Sequence, residues 1–506
     1  MKSQPFLHHH WWRLNGLYIV YTLVLVYTLV FASFVTHAIP LLDTLNVNEP
    51  SRPFGGRSAS TTPYTAYYNP ARLTQATQSF TLTYLVMNQN LNINLGARPQ
   101  GYDVPDNVYR ARTLVDQQAQ GLAFRPFPSS KLPTPRGGTQ IDETNQFAII
   151  GFMSKFLDDR LAFGMTAVLP LDTFQEQHPF YADERAQFFS NRMNFELYGD
   201  RFQVTTFAFA LAYQVHERFS FGVGASLANH LESAPQIYLK DAGDQEDAET
   251  NPQTIVKAVM SPYIGLAYHH KGFELSSSVH FPSQSNLEGK SELRFWDFEY
   301  PEGQTFLQQD FSLTFLDEPL RVNLAPKITL NLSDMPLELY GDVAWTQWST
   351  YTSRHNHQPS DWVDTWSARM GSSLKIGRHR IGVGVMYEPT PVPNQIGRTN
   401  YVDNIRMGGQ LGWNWSPLKN TPELEIGVGI QMQRLLERMH VKASYDPANQ
   451  NGLLDEVPDD AVDITTNQPL ASAKGLQTNN LGFPFYKHSG WLSTVFLTIG
   501  FSPSSK

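Results

Sequence analysis

The stretch Leu424-Glu425-Ile426-Gly427-Val428-Gly429-Ile430-Gln431-Met432-Gln433 decides the fold class. Leu, Ile, Val, Ile and Met fall on one side of a two-residue period, and Glu, Gly, Gly, Gln and Gln on the other. A period of two with a single apolar side is a β-strand with one greasy face. The pattern recurs. Thr205, Phe207, Phe209, Leu211 and Tyr213 oppose Thr206, Ala208, Ala210 and Ala212, and Ile381, Val383, Val385 and Tyr387 oppose Gly382 and Gly384. Trp491, Val495, Leu497, Ile499 and Phe501 oppose Thr494, Thr498 and Gly500 in the last such stretch.

Working outward, fourteen strand candidates run at 78–95, 146–154, 160–169, 203–215, 218–232, 254–269, 272–294, 306–331, 337–352, 365–377, 379–391, 404–416, 421–442 and 490–501, the 306–331 segment being long enough for two. Short polar turns such as His216-Glu217, His270-Lys271 and Gly377-Arg378 alternate with long irregular segments at 96–145, 170–202, 233–253, 295–305, 353–364, 392–403 and 443–489. Short and long connections in alternation are the pattern of an outer-membrane barrel, with short periplasmic turns and longer outer loops. The expected fold is all-β: a transmembrane antiparallel β-barrel of fourteen strands spanning 78–501, followed by a short tail at 502–506. Small residues on the inward face leave room inside such a wall.

Composition agrees. Aromatic residues make up 13% of the 506 and charged residues only 17%, which suits a lipid-facing wall with aromatic girdles. With no cysteine, thiolate metal sites and thiol nucleophiles are excluded. No basic run interleaved with aromatics supports a nucleic-acid partner. Lys2 and Arg13 precede the apolar run Leu17 to Val35, which ends in Thr36-His37-Ala38, so residues 1–38 read as a signal peptide cleaved after Ala38. An uncleaved helical anchor is the competing reading. Cleavage removes two basic and no acidic residues, taking the net charge from -9 to -11.

Residues 39–77 show no strand or helix period, yet they stand directly before the first strand. A closed barrel has one place for such a segment, its lumen. There Gly55-Gly56-Arg57-Ser58-Ala59 is followed by Asn69-Pro70-Ala71-Arg72-Leu73-Thr74, and downstream come Ala344-Trp345-Thr346-Gln347-Trp348-Ser349 and Tyr387-Glu388-Pro389-Thr390-Pro391-Val392-Pro393, with Arg398 after them. Together, in this order, these motifs resemble the FadL family of outer-membrane transporters of long-chain fatty acids and hydrophobic compounds. Phe281-Pro282-Ser283 falls where that family often begins a long strand.

The resemblance implies an N-terminal plug, or hatch, whose motif residues are Gly56, Arg57, Asn69, Pro70 and Ala71. It implies a hydrophobic ligand that lands on outer loops, moves to a lumen pocket and leaves through a gap in the wall when the hatch shifts. No cofactor is implied, and the partners are the ligand, outer-membrane lipid and lipopolysaccharide around a monomer. Three features depart from the family pattern: a shorter interval between Arg57 and Asn69, enlarged loops at 96–145 and 443–489, and five residues after Phe501.

Among single residues, Pro70 disfavours helix at Asn69 and makes a rigid corner suited to a hatch anchor. Phe174, Phe180, Tyr181, Phe188, Phe189 and Met193 make the 170–202 loop unusually apolar, so it either packs on itself or offers a first ligand-binding surface, with Arg185 and Arg192 available to a head group. Trp345 and Trp348, three apart, point to opposite faces of a strand, one of them to a girdle. His355, His357, Asp361 and Asp364 cluster in sequence but read as a solvated loop rather than a metal site. No nucleophile elbow, zincin pair or phosphate loop marks an enzyme. The same fold carrying aromatic or alkane hydrocarbons, a barrel-anchored adhesin and a general porin stand as alternatives.

Overall fold

The computed structural model describes residues 41–96, 138–171, 204–241, 244–295, 304–332, 335–352, 361–397, 400–417, 424–442 and 484–502. Among these residues sixteen strands form in chain order: β1 (Phe80–Leu95), β2 (Gly138–Phe156), β3 (Leu161–Pro170), β4 (Thr205–His216), β5 (Phe219–Asp241), β6 (Asp244–His270), β7 (Phe273–His280), β8 (Ser283–Phe295), β9 (Gln304–Glu318), β10 (Arg321–Leu332), β11 (Met335–Thr346), β12 (Thr365–Ile376), β13 (His379–Glu388), β14 (Arg406–Trp415), β15 (Leu424–Val441) and β16 (Phe485–Phe501). Fourteen of them close a ring. Each pairs antiparallel with its neighbour, β1 with β16, β4 with β5 and β7 with β10, leaving β8 and β9 outside the circuit. Ring closure satisfies the backbone groups that an open edge would expose, which a wall in lipid requires.

The lipid-facing side is apolar. Trp491, Val495, Leu497, Ile499 and Phe501 on β16, Val428, Ile430 and Met432 on β15, and Ile381, Val383, Val385 and Tyr387 on β13 are all exposed. From Trp491 to Phe501 the strand rises about 34 Å, or roughly 26 Å after a tilt of about 40°, close to the height of an outer-membrane apolar band. At its upper edge the Arg434 guanidinium lies 4.5 Å over the Trp491 ring, so cation and aromatic share the interface. The wall is that of an integral outer-membrane barrel. No helix among the described residues is long and apolar enough to cross a membrane.

Along β1 the alternation changes sides. Outward-facing Phe80, Leu82, Tyr84 and Val86 give way to Asn88, Asn90, Asn92 and Asn94, while inward-facing Thr81 and Thr83 give way to Leu85, Met87, Leu91, Ile93 and Leu95. Asn88 and Asn90 bond outward to Thr144 and Asp142 of β2, above the apolar band.

Two expectations need correction. The 272–294 strand is broken at Phe281-Pro282: Phe281 N–H still reaches the Pro262 carbonyl at 3.0 Å, but Pro282 has no N–H to continue the ladder with β6. Beyond the break β8 pairs with β9 and, in parallel, with Gln236–Leu239 of β5. Likewise 233–253 is not irregular. It continues β5 and β6 as a ladder to Asp241 and Asp244. The acidic, two-sidedly polar sequence there hides the strand because above the membrane neither face needs to be greasy. Strands β2 and β16 also start earlier than read, at Gly138 and Phe485. At the opposite end the turns are short, and Lys271 and Gly272 both take positive φ, as a two-residue hairpin turn demands.

Residues 41–78 contain a short helix, α1 (Leu41–Leu45), a helical turn, α2 (Thr65–Tyr68), and a 3-10 turn over Pro70–Gln75. All but a few of these residues are buried, and their contacts run round the inward face of the ring. The missing side chains of inward-facing glycines make room. A Cβ at Gly412 of β14 would overlap the Pro50 carbonyl, and one at Gly222 of β5 would overlap the backbone of Pro70 and Ala71.

Candidate functional site

The N-terminal segment is tied to the wall mainly by buried charge. Asp43 of α1 forms ion pairs with Arg57 and with Arg321 of β10, and accepts a hydrogen bond from the Tyr67 hydroxyl. Arg57 also faces Asp342 of β11 at 3.4 Å. Arg369 of β12 approaches the same Asp342 at 3.4 Å, pairs with Glu388 at 2.7 Å and donates to the Asp43 backbone carbonyl at 3.3 Å. Three guanidiniums and three carboxylates thus balance in a cluster shared between segment and wall. Burial alone would raise the Asp43 carboxyl, but the guanidiniums of Arg321 and Arg57 outweigh it and hold the group well below the usual carboxylate range. The Tyr67 phenol is pushed well up by burial and by the Asp43 charge, so it stays a donor.

A second cluster lies nearer the short turns. Arg52 forks onto Glu338 of β11 at 2.6 and 3.0 Å and also pairs with Glu49, while Arg380 of β13 reaches Glu338 at 3.1 Å. Arg72 completes a third set with Glu274 of β7 at 2.9 Å, which Lys327 of β10 reaches at 2.7 Å. The Arg52–Glu338 and Arg72–Glu274 bonds connect positions more than two hundred residues apart.

The motif residues occupy distinct places. The Asn69 carboxamide donates to the carbonyls of Leu266 and Ser277, each at 3.1 Å, strapping together the paired strands β6 and β7, while its oxygen accepts from Ala71 N–H at 3.1 Å. Pro70 opens the 3-10 turn at the position where a missing N–H costs nothing. Gly56 donates its N–H to Asn46 at 3.3 Å and packs against the Tyr68 ring, where a Cβ would overlap it. Arg57, Asn69, Pro70 and Ala71 are all buried. Phe174, Phe180, Tyr181, Phe188, Phe189 and Met193 lie outside the described residues, as do Arg185, Arg192, His355, His357 and Arg398. Asp364 accepts from Ser349 N–H at 2.9 Å and so ties down the turn Trp348–Thr350, and Asp361 is exposed.

Trp348 is not on a strand. It sits in that turn, buried, with Tyr351, Trp362, Val392 and Tyr401, Tyr351 stacking on Trp362 at 4.2 Å. Trp345 remains on β11, half-buried, on the outward-facing side.

Sequence reasoning missed the apolar lining of the lumen. Leu85, Met87, Leu91, Ile93 and Leu95 of β1 form one continuous buried cluster with Phe147 and Ile149 of β2, Leu435 of β15, Leu492 and Phe496 of β16, and Leu41, Leu42 and Leu45 of α1. The signal was present in the β1 alternation, whose apolar phase shifts from even to odd positions near residue 85. At the upper rim of this lining stand Val402, Tyr486, Arg438 and Lys442. Burial pulls the Lys442 ammonium down to about 7.

No protein-family profile matches the chain, and no curated protein sequence matches it. Solved structures do resemble it. The toluene transporter TodX of P. putida aligns over 90% of this chain and 98% of its own, at 10% identity and a TM-score of 0.46. The CymD monoaromatic hydrocarbon channel aligns over 91% and 99%, at 12% identity and 0.43, and the Ralstonia pickettii toluene transporter TbuX over 87% and 94%, at 12% and 0.41. All three carry hydrophobic molecules.

Proposed function

We propose that this protein is an outer-membrane transporter through which hydrophobic molecules pass passively, with residues 39–77 as the plug and long-chain fatty acids as the cargo. The observation that carries the reading is the apolar lining contributed by β1, β2, β15 and β16 and closed beneath by Leu41, Leu42 and Leu45. A water-filled channel gains nothing from such a surface, whereas a greasy solute gains roughly 25 cal/mol for each Å² of its surface taken from water. The basic pair Arg438 and Lys442 at the rim suits the carboxylate of an amphipathic chain. Below the lining, the charge clusters hold the segment across the lumen, so passage requires it to shift. The β6–β7 ladder ends at Tyr263 and His280, within the height of the apolar band, and this break offers a way out sideways into lipid. The working unit is a monomer set in lipid and lipopolysaccharide, with downhill transfer as the driving force and no chemical step.

Uptake of labelled oleate by a transport-deficient Gram-negative host tests the proposal. The intact protein should restore uptake, and Leu91→Asn with Ile93→Asn should lower it several-fold while leaving insertion unchanged. Correct insertion without uptake would remove fatty acids from consideration. The aromatic group of Trp348, Tyr351 and Trp362 favours a second cargo, monoaromatic hydrocarbons. Competition by toluene against oleate distinguishes the two.

A further inference from the structure

At the end of the barrel remote from the short turns, the connection from β13 to β14 lies against the inner side of β15 and β16. Two histidines hold it there. Gln395 N–H donates to Nδ1 of His440 at 3.0 Å, so that nitrogen carries a lone pair. The His440 proton is therefore on Nε2, which faces Nε2 of His488 at 3.1 Å. His488 must accept there, so its own proton is on Nδ1, 2.9 Å from the Asn404 side-chain oxygen. The Asn404 amide donates to the carbonyls of Leu436 at 2.7 Å and His488 at 3.2 Å, which fixes its orientation as well. Every ring nitrogen is committed, and both rings are neutral.

An added proton has no place in this chain. On Nδ1 of His440 it would meet the Gln395 N–H, and on Nε2 of His488 it would meet the His440 N–H. The surroundings oppose it further. On β15 stands Arg438 and just past its end Lys442, on β14 Arg406, on β16 the Tyr486 ring stacked on His440 at 4.6 Å, on β1 the apolar Ile93 opposite His488, and on the connection itself Asp403 as the one carboxylate among these groups. Arg438 already donates to Thr390 at 3.1 Å and to the carbonyls of Asp403 and Val392 at 2.9 and 2.7 Å. The same connection places Val402 in the apolar lining.

We propose that the His440–His488 pair is an acid-sensitive latch that holds the strap formed by residues 390–397 and 400–404 against the apolar lining at neutral pH and releases it when the pair takes a proton. The latch stands on geometry alone. Only its effect on uptake rests on the transport reading. An unperturbed histidine titrates near 6.5, so a pair that resists protonation opens below that value. Lys442, at about 7, gains most of its charge between pH 7.5 and 6. Asp403, which burial raises to about 6, takes a proton in the same range, so the two effects must be separated by substitution. Asp43 stays charged throughout, and the plug contacts do not change.

Hydrogen exchange of the full-length barrel in detergent micelles, corrected for intrinsic rates, provides the test at pH 7.5, 6 and 5. Amides of 390–397 and 400–404 should lose at least tenfold protection between pH 7.5 and 5, while those of 41–60 hold. With His440→Gln and His488→Gln the titrating histidines are gone, and since Asp403 stabilises the strap as it takes its proton, the acid-driven loss should disappear. Asp403→Asn should keep it. If the double variant does not insert, His488→Gln alone serves the same purpose. Equal protection of the strap at all three values, or a tenfold loss between pH 7.5 and 5 that survives in the glutamine variant, overturns the latch. Oleate uptake measured alongside keeps the two readings apart: strap release without uptake at any pH sinks the transporter and leaves the latch standing.

Discussion

Replacing Arg57 by Met should loosen the N-terminal segment, the proposed plug, without disturbing the wall. The guanidinium lies between Asp43 and Asp342 and is almost wholly buried. In wild type the cluster balances Arg57, Arg321 and Arg369 against Asp43, Asp342 and Glu388. Without Arg57 one buried negative charge is unmatched, and removing one partner of a buried pair costs about 3–5 kcal/mol. The wall has its own ladders, so the cost falls on the seating of residues 41–60. An opening free energy lower by that amount speeds exchange of their amides by about a hundred- to several-thousand-fold, at about 1.4 kcal/mol per factor of ten. The assay is hydrogen exchange of refolded protein, with heat-modified gel mobility reporting an intact barrel. Asp342→Asn added to Arg57→Met restores the charge balance and should recover a large part of the protection. Exchange within threefold of wild type in the single variant, or no recovery in the double, would refute the idea that charge balance seats the plug.

Gly412→Val sets a side chain against the Pro50 carbonyl, so it should displace the plug near residue 50 and raise single-channel conductance in planar bilayers. Asn69→Ala removes two bonds to β6 and β7 and one to Ala71, which should cost about 1–3 kcal/mol of local stability, read as faster exchange at 65–75. For Asp403 the folded value of about 6 lies above the unfolded carboxylate near 4, so its contribution to stability rises as pH falls from 6 to 4 and its charged form is a burden above 6. Asp403→Asn should therefore stabilise the protein at pH 7 by up to about 3 kcal/mol and flatten the pH dependence of urea unfolding between 6 and 4.

The wall was legible because lipid imposes a rule on every second residue. Leu424 to Gln433 forms β15 with its Leu, Ile, Val, Ile and Met outward, as the alternation required. Where lipid stops, so does the rule: the β5–β6 ladder beyond the membrane carries Glu, Asp, Pro and Asn and passes for a loop. Pro282 was visible, but only tertiary pairing shows that the strand leaves β6 there rather than continuing. The Gly56-Arg57 and Asn69-Pro70-Ala71 motifs stand out in the sequence as local chemistry. Their partners do not, since Arg57 meets Asp342 and Arg52 meets Glu338 across nearly three hundred residues with no local signature. Nor does α1, since nothing in Leu41-Leu42-Asp43-Thr44-Leu45 announces that its carboxylate will organise the cluster.

The change of sides along β1 sets where oil lies relative to the wall. Below residue 85 the low-polarity phase is outside the barrel and water-loving groups line the inside; above it the phases are exchanged. A solute that dissolves in the upper interior therefore has, one sheet thickness away and slightly lower, a second reservoir of the same character. The wall between them is a partition separating two oils. Moving from one to the other needs an aperture but no pump, because a bilayer of far greater capacity stands on the receiving side.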